Sequence, residues 1–183
     1  MIFTKTPLAG AFIITPERIE DERGFFARTF CRREFEAHGL NPDIIQCNIS
    51  FNNKKGTLRG MHYQAKPHAE VKLVRCSAGS IYDVIIDLRL DSSTFKKWFA
   101  VELSADNRKL LYIPEGFAHG FQTRTDNTEV IYHHSAFYNP DAARGLRFDD
   151  PALSIIWPLP VSMVCSRDQN YDLIDTSFRG VES

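Results

Sequence analysis

Leu58-Arg59-Gly60-Met61-His62-Tyr63-Gln64 follows directly on Asn52-Asn53-Lys54-Lys55-Gly56 and Thr57. The Asn/Lys/Gly run is turn chemistry, and the residues from 57 to 64 read as a strand leaving it. The same signature repeats outward in both directions. Residues 11–15, 25–30, 44–51, 71–76, 80–88, 97–103, 109–113, 120–123 and 128–136 are short segments rich in β-branched and aromatic side chains, separated by turn residues. Many short strands at this spacing predict an all-β sandwich or barrel. Residues 32–38 alone have a helical pattern, with Phe35 as the apolar anchor and Gly39 as the stop, and Asp150-Pro151-Ala152-Leu153 is a candidate start for a second short helix.

At 183 residues the chain is expected to form one domain over 1–183, long enough to bury a substantial core. A formal net charge of −1 argues against general binding to a nucleic-acid polymer or a membrane surface, while leaving room for one local basic pocket. Met1 to Gly10 lacks the apolar core of a signal peptide and no stretch reaches membrane-spanning length, so a cytoplasmic location is expected. Cys31, Cys47, Cys76 and Cys165 are scattered without metal-type pairs, which favours buried free thiols over disulfides.

His62 lies among fixed cations, with Arg59 before it and Lys72 after it; a second histidine, His119, ends Ile113-Pro114-Glu115-Gly116-Phe117-Ala118-His119. A histidine free to move protons, beside cations that hold an anion, suits acid–base chemistry on a charged substrate. Strand alternation puts Lys72 on one face with Val74 and Cys76, and Asp83 on one face with Ile85 and Asp87. Such charges need either a watery barrel interior or a solvated outer face. Arg59 and His62 fall on opposite faces of a regular strand, unless Gly60 hosts a bulge that re-aims one of them. The neighbours His133 and His134 face opposite ways and are not read as a metal pair; Arg75, Arg89 and Lys96-Lys97 are read as surface charges.

The chain resembles a cupin from which the metal ligands have been removed, with Gln64 standing where a metal-binding member carries its second histidine. More narrowly, it resembles the dTDP-4-dehydrorhamnose 3,5-epimerases over nearly its whole length. The motifs are Asp21-Glu22-Arg23-Gly24-Phe25-Phe26, Gln46-Cys47-Asn48, Leu58 to Gln64, Lys72-Leu73-Val74-Arg75-Cys76, Ile113 to Phe121, Tyr132 and Ser166-Arg167-Asp168, in family order. The resemblance implies a double-stranded β-helix, or jelly-roll (cupin) barrel, with a few short helices. It also implies a homodimer in which the N-terminal strand of each subunit reaches its partner's site, and chemistry with neither cofactor nor metal. The substrate it implies is a dTDP-linked 4-keto-6-deoxy sugar, inverted at C3 and C5.

By the same resemblance His62 is the base and Asp168 its orienting partner, with Asp83 a rival for that place. Lys72 stands at the ketone oxygen, and Tyr132 is the acid on the opposite face, with a nearby cation expected to help the phenol release its proton. Arg59 and Arg23 occupy phosphate and nucleotide positions, Arg23 serving the neighbouring subunit. Phe25 or Phe26 lies against the base, Gln46 and Asn48 make polar contacts, and His119, Tyr138 and Arg167 stand near the substrate. Arg28 and Ala143 fall where many members carry acidic residues touching the nucleotide, which leaves the base open. A single-carbon epimerase, an epimerase for another nucleotide, and a binding module or metal cupin are the competing readings.

Overall fold

The computed structural model describes residues 1–175 and 177–182. Its antiparallel strands form two facing sheets. One runs in the order β1 (Ile2–Lys5), β2 (Phe12–Thr15), β10 (Leu110–Ile113), β7 (Lys72–Ala78), β12 (Thr128–His134), β5 (Gln46–Asn52). The other runs β13 (Ala143–Gly145), β6 (Leu58–Gln64), β11 (Phe117–Thr123), β8 (Ser80–Asp87), β9 (Trp98–Ser104). The strand order crosses between distant parts of the chain, as in a jelly roll of cupin type. A separate hairpin, β3 (Arg18–Asp21) with β4 (Gly24–Ala27), pairs with neither sheet.

Strand alternation sorts the apolar side chains into three layers. Val74, Leu111 and Val130 from one sheet meet Ile81, Ile85 and Phe121 from the other inside the barrel. On the outer face of the larger sheet, Ile14, Leu73 and Tyr112 are capped by Phe35 of α1 (Arg32–Ala37) and by Leu40. On the outer face of the smaller sheet, Val84, Ile86 and Leu88 are covered by Leu146, Leu153 and the C-terminal stretch that includes Trp157 and Val181. That stretch also contains α2 (Ser166–Gln169). The helix over 32–38 thus forms as expected, with Phe35 buried between Phe3, Phe30 and Tyr112, and Gly39 follows it at a φ of 70°.

Several expectations are corrected. Residues 150–153 form a turn: the Asp150 carboxylate accepts the amides of Ala152 and Ile174, which ties this segment to the C-terminal stretch instead of a helical ladder. β1, β3 and β13 lack a strong apolar alternation and were not expected as strands. The strand expected over 25–30 stops at Ala27. Cysteines 31, 47, 76 and 165 are free, but only Cys76 is buried, and Cys47 and Cys165 are exposed. Arg89 is no surface charge, because its guanidinium pairs with buried Asp87 at 2.7 Å and lies over the Phe117 ring.

Candidate active site

The site is built on a fault in β6. His119 of β11 pairs with His62, whereas Phe121 pairs with Arg59, so β6 carries one extra residue between them. Gly60 sits in that bulge at a φ of 123°, and a Cβ there would overlap the Cα of Gly120. Only glycine fits both conditions. The extra residue turns Arg59 and His62 to the same side, where both line a cavity of about 530 Å³ between the sheets.

His62 Nε2 lies 2.7 Å from Asp168 Oδ1, and the amide of Gly60 donates to the other carboxylate oxygen at 3.0 Å. Burial works against the charge on Asp168, but the His62 and Gly60 hydrogen bonds outweigh it and hold its pKa below the ordinary carboxylate value. An ionised Asp168 accepts Nε2–H, which leaves Nδ1 as the basic nitrogen of His62. The bulge that turns His62 inward thus also supplies an amide that anchors its partner. Asp83, the rival partner, instead faces His119 Nε2 at 2.7 Å deep inside the barrel. Burial raises the pKa of Asp83, against the pull of His119 and Lys72.

The opposite wall supplies Lys72 and Tyr132. Lys72 Nζ donates to the His62 carbonyl at 3.1 Å and pairs with Glu70 at 3.2 Å. The Tyr132 hydroxyl is 3.0 Å from Ser50 Oγ on neighbouring β5. Burial lifts the phenol well above its ordinary pKa, and the opposing effects of Ser50 and Arg59 do not cancel it. The expected cation, Arg59, is present and pulls the phenol pKa down, but burial outweighs it. At the mouth, Arg59 is steadied by Asn52 at 2.7 Å, and Arg167 lies over the Tyr171 ring. Asn48, His119 and Tyr138 complete the set of expected residues that line the cavity.

Five expected residues lie off this wall. Gln46 stands beside it, on the same face of β5 as Asn48, with its side chain on Asn48 and on the Tyr138 amide. Arg28 is spent on Glu34 at 2.7 Å. Arg23, Phe25 and Phe26 project on the β3–β4 hairpin, where Phe26 is 73 % exposed. Gln64, by contrast, lines the cavity, and it uses its amide on the carbonyls of His68 and Phe137 and its oxygen on the Asn139 amide. Among the described residues no group of three His, Cys, Asp or Glu side chains is arranged to hold a metal ion.

The sequence model for dTDP-4-dehydrorhamnose 3,5-epimerase matches residues 5–176. The dTDP-4-dehydrorhamnose 3,5-epimerase of Shigella flexneri is 42% identical over 167 residues, 91% of this chain and 92% of its own. The chain belongs to the dTDP-4-dehydrorhamnose 3,5-epimerase family. It is therefore of the isomerase class. The crystal structure of the family member from Elizabethkingia anophelis superposes with a TM-score of 0.93 at 40% identity, covering 97% of this chain and 98% of that one. The Legionella pneumophila epimerase, solved with dTDP-4-keto-L-rhamnose, superposes with a TM-score of 0.90 at 34% identity, covering 100% and 98%.

Within this epimerase-family fold, some cavity residues had escaped the reading of the sequence. Arg144 comes from β13, a strand too short to show a pattern. Glu70 precedes β7 in what reads as a plain polar connection, and His134 was set aside with His133. His134 lines the cavity and bonds Glu70 at 2.8 Å, while His133 bonds the Leu73 carbonyl. Strand alternation would have found His134 had the inward face of β12 been carried on from Tyr132.

Proposed function

We propose that the protein inverts C3 and C5 of dTDP-4-dehydro-6-deoxyglucose to give dTDP-4-dehydrorhamnose, a step of deoxysugar (rhamnose) biosynthesis. The observation that carries this reading is the placement of proton-handling groups on opposite walls of one cavity: His62 on β6, and Tyr132 with Lys72 on β12 and β7. A sugar lying between them meets a base on one face and an acid on the other.

In this reading His62 Nδ1 takes the proton from the carbon beside the ketone, and Asp168 steadies the imidazolium that results. Lys72 faces the ketone oxygen, where its charge counts most as the enolate forms. Tyr132 then delivers a proton to the opposite face. Its raised pKa is no obstacle, because the C–H bond being made belongs to a much weaker acid than a phenol. Ser50 and Arg59 steady the tyrosinate until solvent restores its proton. Arg59, with Arg167 and Arg144 at the mouth, supplies cations for the diphosphate.

The functional unit is a cytoplasmic homodimer in which Arg23 and either Phe25 or Phe26 of one subunit's hairpin serve the partner's nucleotide. The exposure of Arg23 and Phe26 on a hairpin that pairs with neither sheet supports this. The reaction needs no metal, so chelation followed by dialysis leaves it intact. The deciding experiment incubates the protein with the dTDP-linked 4-keto sugar in heavy water and counts deuterons by mass and by position. Two incorporated sites with inversion are expected. One site makes it a single-carbon epimerase, and none overturns the reading.

A further inference from the structure

Glu70 has no part in the chemistry above, yet it is nearly buried in the cavity wall, with its side chain 9% exposed beside a Lys72 side chain at 8%. Its two oxygens are both engaged. Oε1 is 3.2 Å from Lys72 Nζ, and Oε2 is 2.8 Å from His134 Nδ1. An ammonium carries three N–H donors. Lys72 spends one on the His62 carbonyl and one on Glu70, and the third is left for the cavity it lines.

We propose that Glu70 is a positioning residue that, braced by His134, holds the Lys72 ammonium so that its remaining N–H faces the substrate's ketone oxygen. The inference rests on reading Lys72 as the group that stabilises the enolate. The physical case has three parts. A lysine side chain has four rotatable bonds and ranges widely unless its head is pinned at more than one point. The His62 carbonyl pins it from the β6 side and Glu70 from its own strand's entry, so the ammonium is fixed between the two walls. Glu70 in turn is fixed because His134, on neighbouring β12, takes its second oxygen. Burial works against the carboxylate's charge, but the His134 bond and the Lys72 charge prevail and hold its pKa below the ordinary value. The arrangement also brings the His134 ring against Tyr132, with centroids 6.1 Å apart. The same brace thereby touches both groups on this wall.

A positioning role makes a distinct kinetic prediction. Enolate stabilisation matters in the transition state and little in ground-state binding, so loss of the brace lowers kcat and spares KM. Glu70→Ala is expected to slow deuterium washout from the substrate by about tenfold to a hundredfold, with KM within about threefold. Glu70→Gln keeps an acceptor for Lys72 but sets an amide N–H against the donating His134 Nδ1–H, so the ring must switch tautomer and only part of that loss is recovered. His134→Ala gives a smaller loss alone and adds little in the Glu70→Ala background, because the two act through one path.

Lys72→Met is measured alongside. Slow washout in Lys72→Met with wild-type washout in folded Glu70→Ala overturns the inference while leaving the Lys72 reading standing. Wild-type washout in Lys72→Met overturns that reading itself. Should Glu70→Ala fail to fold, His134→Ala decides, and wild-type washout there overturns the inference. A loss of thermal stability with unchanged kcat in both Glu70 variants reduces Glu70 to a structural residue and also overturns it.

Discussion

His62 is held at Nε2 by a relay of two groups: Asp168 sets the tautomer, and the Gly60 amide sets Asp168. Asp168→Asn removes the charge that steadies the imidazolium, and proton washout is expected to fall by at least about a hundredfold, checked by deuterium exchange at saturating substrate. The same carboxylate carries a stability signature. Its pKa is lowered in the folded protein, so its contribution is fully present above the unfolded value of about 3.9. That contribution is lost as pH falls through the folded value. Wild type should exceed Asp168→Asn by about 1–3 kcal/mol near neutrality, with the gap closing below about pH 4. Parallel thermal melts across that range test it, and a gap constant with pH contradicts it. On the other wall, Tyr132→Phe should still allow proton removal while impairing inversion. Deuterium then enters with retained configuration, read by NMR of the recovered sugar. A Tyr132→Phe enzyme that inverts both carbons at the normal rate removes the tyrosine from its role.

Among the elements, the bulged strand β6 and the short helix α1 separate function from stability. The bulge turns Arg59 and His62 to one side, and it exists only because two glycines, Gly60 and Gly120, let the backbones of β6 and β11 approach. Gly60→Ala adds a methyl where no space exists and at a φ that an L side chain rarely adopts. A destabilisation of about 3 kcal/mol or more is expected, with loss of activity in whatever folds. α1 shows the contrast. Phe35→Ala empties a fully buried ring site on the outer face of the larger sheet, costing about 3–5 kcal/mol. Its folded fraction should keep a near-normal KM, because the helix lies outside the barrel. Denaturant melts and kinetics on one preparation test both statements. Phe35 was legible in the sequence because its spacing and its glycine stop are local. The bulge was legible only as a possibility, because a strand's register depends on its partner.

For the whole molecule, the β3–β4 hairpin is the element that this chain alone does not explain. It pairs with neither sheet, touching the rest of the subunit through Arg18 on the Asp106 carbonyl and through Phe25 under Arg108, and it exposes Ile19 and Phe26, which a lone subunit would leave in water. If the arm serves a partner's site, Arg23→Ala and His62→Ala subunits are each inactive alone but complement each other. Mixing them at equal ratio under exchange conditions should restore about a quarter of the wild-type sites, since half the dimers are mixed and each mixed dimer has one intact site. No recovery from subunits shown to exchange contradicts a shared site.

The sequence by itself determined the strands with a clear alternation, the first helix and the family. Alternation along β6, β7, β8 and β12, turn residues between strands, and the Phe35 helix are all encoded within a few residues of themselves. The motifs from Arg23 to Asp168 state the family in the same linear way. Only the tertiary structure decided which carboxylate meets which histidine. Asp168 reaches His62 across 106 residues of sequence, and Asp83 reaches His119 across 36. Both aspartates were open candidates for His62, because a side chain's partner is set by sheet register, by one extra residue in β6 and by the C-terminal stretch folding back over the barrel. The Glu70–His134 bond arises in the same way. It joins the entry of β7 to the end of β12, two segments that become neighbours only when those strands pair.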